Sequence, residues 1–123
     1  MEIQKALVVD DSKVAHLKLS KMLRERGIEV EWAGSGEDSI TFLRTRSSDI
    51  VFMDVMMPGM DGFEATHAIN SDSAIKAPPV IMCSANATEE DRVNAEKSGA
   101  SGFLSKPYTP DELDEVLNQV RQK

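Results

Sequence analysis

Ile50-Val51-Phe52-Met53-Asp54 is the stretch on which the fold turns. Four apolar residues in a row show no polar alternation, so both faces must be covered, as in a central strand of a parallel sheet. Three other runs behave alike: Ala6-Leu7-Val8-Val9 into Asp10-Asp11, Val80-Ile81-Met82-Cys83 into Ser84, and Phe103-Leu104-Ser105 into Lys106. With a weaker segment at 28–33, strands are expected near 5–10, 28–33, 49–53, 79–83 and 101–104. Helices are expected between and after them, near 13–26, 36–46, 62–71, 89–98 and 110–122. Strict alternation of strand and helix means βαβ units with right-handed crossovers. The expected fold is an α/β, (βα)5 doubly wound three-layer sandwich of flavodoxin-like topology. Its five-stranded parallel sheet takes the order 2-1-3-4-5, in one domain spanning 1–123.

Helix punctuation agrees. Thr109-Pro110-Asp111-Glu112 reads as a capping box with proline at the first helical position. Ser35-Gly36-Glu37-Asp38 and Thr88-Glu89-Glu90-Asp91 place acids in a first turn, where the helix dipole favours them. Gly27 and Gly99 stand where a chain leaves a helix in the left-handed region. Leu113, Val116, Leu117 and Val120 mark the buried face of the last helix.

The 123 residues suffice for one core, and the 41% hydrophobic content excludes a disordered chain. A net charge of −7 argues against a nucleic-acid binder, which needs a basic patch. No apolar stretch reaches membrane-spanning length. Cys83 has no second cysteine to pair with, which points to a reducing, cytoplasmic setting. His16 and His67 read as surface helical residues. The methionines around Asp54 read as core and loop packing.

Ligands of open α/β sheets bind beyond the carboxyl ends of the strands. That rule gathers Asp10, Asp11, Asp54, Ser84 and Lys106 at one rim. Two carboxylates about 4 Å apart at an effective dielectric near 20 repel by about 4 kcal/mol. Three of them require either a retained proton or a divalent cation, and hard oxygen donors suit Mg2+. Three negative charges then balance the metal and the Lys106 ammonium, ready for a phosphoryl group. Asp54, alone at the end of the central run, is the candidate nucleophile. Asp10 and Asp11 are candidate metal acids, Asp11 directly and Asp10 directly or through water. Ser84 and Lys106 would contact the phosphoryl oxygens.

These blocks resemble the response-regulator receiver domain of two-component, phosphorelay signalling. They are Asp10-Asp11, then Asp54-Val55-Met56-Met57-Pro58-Gly59-Met60-Asp61-Gly62, then Ser84-Ala85 and Lys106-Pro107. The resemblance implies Asp54 as phosphoacceptor and Mg2+ on Asp10, Asp11, Asp54 and the Met56 carbonyl. It implies Ser84 and Phe103 as switch residues and a cis Lys106–Pro107 peptide. It further implies a histidine kinase or histidine phosphotransfer domain as donor, and an output domain or protein as partner. Dimerisation through the fourth helix, fifth strand and fifth helix is a family possibility. Such a domain is not a turnover enzyme; it catalyses only its own phosphorylation and dephosphorylation. Three other readings compete: a degenerate receiver that binds without phosphorylation, an Asp-nucleophile phosphohydrolase, and a flavin-binding protein, whose Ser/Thr/Gly-rich phosphate loop after the first strand is missing here. The second places its nucleophile on the first strand, with another acid two residues on, unlike Asp10-Asp11. On the first helix, Val14 and Leu17 lie off the apolar side made by Ala15, Leu19, Met22 and Leu23, and read either as ordinary exposed apolar residues or as a docking patch for a donor helix.

Overall fold

The structure is a computed structural model that describes residues 2–86 and 88–122. Its elements run β1 (Lys5–Val9), α1 (Lys13–Arg24), β2 (Glu29–Ala33), α2 (Gly36–Thr45), β3 (Ile50–Asp54), α3 (Gly62–Ser71), β4 (Val80–Ser84), α4 (Glu89–Ser98), β5 (Gly102–Ser105) and α5 (Pro110–Arg121). All strand pairs are parallel, in the order β2-β1-β3-β4-β5. The topology is the expected one, and each element lies within a few residues of its predicted bounds.

Alternate residues of each central strand feed opposite faces. Ala6 and Val8 of β1, with Ile50 and Phe52 of β3, pack against Leu19 and Leu23 of α1 and Leu113 and Leu117 of α5. Leu7, Val9, Val51 and Met53 face the other way, onto Leu43 of α2 and Ala65 and Ile69 of α3. This is why β1, β3 and β4 each carry four consecutive apolar or thiol residues with no polar alternation, Ala6 to Val9, Ile50 to Met53 and Val80 to Cys83. β2 forms one edge of the sheet, and its Glu29 and Glu31 are exposed, which accounts for its weaker signal.

The caps form as read. Thr109 and Glu112 exchange side-chain and backbone bonds ahead of Pro110. Thr88 and Ser35 accept from the third residue of α4 and α2. Gly99 closes α4 at φ +94, and Gly27 follows α1 at φ +76. A capping box at Asp61 and Glu64, which starts α3, belongs with them although the sequence reading passed over it.

One expectation fails. His16 is not a surface residue; it is 9% exposed, and its ring stacks on Trp32 with centroids 4.3 Å apart. The cause is tertiary. Trp32, near the end of β2, reaches across to α1 and covers a position that helical spacing alone leaves open. Burial pulls the imidazole below its usual pKa, against the charge of Asp10. His67 is exposed as expected.

Gly62, the first residue of α3, fixes the approach of that helix to the sheet. A Cβ there would lie 2.2 Å from the Asp54 carbonyl oxygen and 2.9 Å from Met82 Cε. The first neighbour is backbone and cannot swing aside. Gly62→Ala is therefore expected to cost about 2 kcal/mol, within the range for overpacking. A urea melt reads it directly. An unchanged midpoint would mean that the β3–α3 loop yields freely.

Candidate functional site

The rim at the carboxyl ends of β1, β3 and β5 is where the charged groups converge. β1 ends at Val9 and delivers Asp10, whose amide donates to the Ala33 carbonyl and so ties the loop to the edge strand. Asp10 Oδ1 accepts from the Ser12 amide at 2.9 Å, which turns the chain into α1. The indole N–H of Trp32 donates to the Asp10 carbonyl at 2.8 Å. Asp54 is the last residue of β3, and the Gly62 amide donates to the carbonyl of the next residue, Val55, at 2.9 Å. Lys106 follows β5, and the Lys106–Pro107 peptide is cis, as expected.

Among the described residues, Asp10, Asp11 and Asp54 form a group in which one carboxylate oxygen from each lies within 4.8 Å of the other two. Asp10 is buried, Asp54 half-buried and Asp11 exposed, so the group opens to solvent on the Asp11 side. Lys106 Nζ donates to Asp54 Oδ1 at 3.0 Å and to Asp10 Oδ2 at 3.4 Å. One ammonium against three carboxylates leaves a local excess of two negative charges.

The titration of the pair follows from this. Burial raises the Asp54 carboxyl above the usual range; its bond to Lys106 and that lysine's charge oppose the rise, and Asp10 and Asp11 add to it. Burial by itself pulls the Lys106 ammonium down. The hydrogen bond and charge of Asp54, with the charge of Asp10, outweigh that and leave it above its usual value. Attraction holds the lysine charged, while crowding leaves the acids under-compensated. Three oxygen donors in excess of their counter-charge, open on one side, fit a hard divalent cation.

Ser84 ends β4 as expected, but its hydroxyl is bonded to Asp91 and Asn86 and not to Asp10, Asp11 or Asp54. Ser84 Oγ lies 2.9 Å from Asp91 Oδ2 and 3.1 Å from the Asn86 carbonyl, and accepts from the Asn86 amide at 3.1 Å. Phe103 of β5 is partly buried against the core, with the Arg92 guanidinium 4.9 Å over its ring. Sequence reasoning missed Asp91 and Arg92. Asp91 carries the signal of an ordinary first-turn acid, and nothing local links it to Ser84. Met56 is exposed beside the acids, whereas Met53 and Met57 pack in the core. Cys83 is buried, and burial pushes its thiol up to about 12, so it is inert at neutral pH.

The description "Response regulator receiver domain" belongs to the family model that residues 6–118 match. Protein PilH of Pseudomonas aeruginosa is 37% identical over 114 residues, covering 93% of this chain and 94% of the relative. The chemotaxis protein CheY4 of Vibrio cholerae superposes with a TM-score of 0.88 at 33% identity, over 97% of this chain and 99% of that one. The receiver domain of sensor histidine kinase PA1611 of Pseudomonas aeruginosa gives 0.88 at 29% identity, over 99% and 100%. That structure holds a magnesium ion coordinated in its active-site cleft.

The raised Asp54 carboxyl, held up chiefly by burial and further by Asp10 and Asp11, has a measurable consequence. A carboxyl raised in the folded state binds its proton more tightly than in the unfolded chain. Its ionisation therefore lowers stability as pH rises from the usual carboxylate value through the raised one. Asp54→Asn is expected to raise the urea midpoint at pH 7 in EDTA, and the gain should shrink as acid protonates the wild-type carboxyl. A lower midpoint at pH 7 would mean that the Lys106 bond outweighs burial and the neighbouring acids together.

Proposed function

Because the chain belongs to the response-regulator receiver family of two-component signalling, we propose that Asp54 is its phosphoacceptor within a single domain over 1–123. The observation that carries this is the meeting of Asp10, Asp11 and Asp54 at one rim, with Lys106 bonded to the last. The donor is a phosphohistidine of a kinase or phosphotransfer domain. An Asp54 carboxylate oxygen attacks phosphorus, the P–N bond breaks, and the imidazole departs with the bonding pair and takes up a proton. Such transfer depends mainly on positioning and charge stabilisation. Lys106 neutralises negative charge on the transferred oxygens.

Asp10, Asp11, Asp54 and the Met56 carbonyl would hold Mg2+, which supplies charge neutralisation at the phosphoryl oxygens. The donor set fits, since it has hard oxygens and surplus negative charge. Among the described residues no helix is long and apolar enough to cross a membrane, and the reading places the domain in the cytoplasm. Phosphorylation adds roughly one negative charge. Ser84 and Phe103 then rearrange, and the surface of α4, β5 and α5 engages an output domain, a partner or a second copy. This is a local charge event biasing a two-state element. Catalysis extends only to the domain's own phosphorylation and hydrolysis.

The test is intact mass after incubation with acetyl phosphate. One Mg2+-dependent phosphoryl adduct is expected on the wild type and none on Asp54→Asn. An adduct that persists in the variant would move the acceptor elsewhere. Absence of any adduct, together with no spectral response to beryllofluoride, would favour a degenerate receiver.

Val14 and Leu17 are 68% and 47% exposed on α1, next to the rim. An apolar pair beside an acidic cleft suits the helix of a phosphohistidine donor. Leu17→Asp is expected to slow transfer from a protein donor about tenfold, the factor that about 1.4 kcal/mol of lost contact produces. Labelling by acetyl phosphate should keep its rate. Equal slowing of both would show that the change damages the site itself.

A further inference from the structure

The head of α4 holds both groups that the receiver reading assigns to the switch. Thr88 caps the helix by accepting from the Asp91 amide. That bond starts the turn in which the consecutive residues Asp91 and Arg92 meet Ser84 at the end of β4 and Phe103 of β5. Asp91 Oδ2 takes the Ser84 hydroxyl at 2.9 Å, and Arg92 lies over the Phe103 ring at 4.9 Å. A serine hydroxyl has one proton to give. The Asn86 carbonyl competes for it at 3.1 Å. The carboxylate is nearer and charged, and charge-assisted bonds are the stronger kind. Ser84 is 3% exposed, so water offers little competition.

Resting on the receiver reading above, we propose that Asp91 is a positioning residue that retains the Ser84 hydroxyl in the unphosphorylated domain, with Arg92 covering Phe103 in the same turn. Ser84 cannot turn to a phosphoryl oxygen without withdrawing its proton from Asp91. Phe103 cannot turn inward without leaving Arg92. Both losses fall on the first turn of α4 and release an acid and a guanidinium there together. The helix head thereby opposes activation and also reports it. Glu89 and Glu90 share the turn but not the contact, which separates this role from the favourable placement of any acid near a helix N-terminus.

The experiment is an NMR titration of the domain with beryllofluoride and Mg2+, read as an apparent dissociation constant. It compares wild type, Asp91→Ala, Glu90→Ala, Ser84→Ala and the Asp91→Ala/Ser84→Ala pair. Asp91→Ala is expected to bind about tenfold more tightly than wild type, the factor matching the net loss of one hydrogen bond. Glu90→Ala is expected to stay within about twofold. In the Ser84→Ala background the gain from Asp91→Ala is expected to vanish, because the bond is already gone. A gain below about threefold, weaker binding, or a gain that survives Ser84→Ala would overturn the assignment. A wild type that fails to bind beryllofluoride would sink the receiver reading and this inference together. Wild-type binding unchanged by Asp91→Ala would sink this inference alone.

Discussion

The ammonium of Lys106, 3.0 Å from Asp54 and 3.4 Å from Asp10, is the counter-charge around which the rim is organised. It comes from the loop after β5, whereas the two acids come from β1 and β3, which pair with each other but not with β5. The contact therefore spans β4 and depends on the whole parallel register being right. Lys106 offsets only part of the acidic charge, so the site keeps a standing demand for more positive charge or for a proton. The sheet's apolar strands pin the acids in place; without that rigidity the three carboxylates would move apart and the demand would disappear. Fold stability and site reactivity thus draw on one source, the doubly buried β1 and β3.

Much of this was legible beforehand, for identifiable reasons. The runs ending in Asp10, Asp54, Ser84 and Lys106 are buried on both faces, and such runs have few other readings. Strand order followed from the short list of common doubly wound orders, of which 2-1-3-4-5 suits five strands, and helix starts from residues such as Thr88 and Thr109 that act within one turn. Once topology was known, the gathering of the charged residues required no further information, because parallel strands share one carboxyl end.

What stayed hidden involved contacts between distant segments with no shared periodicity. His16 carries no sequence mark of burial; Trp32 covers it from another element. Asp91 looked like a helix-cap acid because it is one, and its second role depends on Ser84 ending β4 directly beneath it. Arg92 over Phe103 is likewise a meeting of side chains from α4 and β5. Local rules describe what a residue does for its own element. They are silent when the same residue serves a neighbouring one, and the groups surrounding Ser84 and Phe103 are of that kind.

Trp32 is the sole tryptophan of the chain. Its indole N–H is bonded to the backbone carbonyl of Asp10, its ring lies flat on His16, and it is 44% exposed. All indole emission from this protein therefore originates at one point, attached through a single peptide unit to a buried acid of the rim. A change in the charge carried there alters the field at the chromophore without any label being introduced. The domain has an optical gauge built into its edge strand β2, at the sheet edge opposite β5.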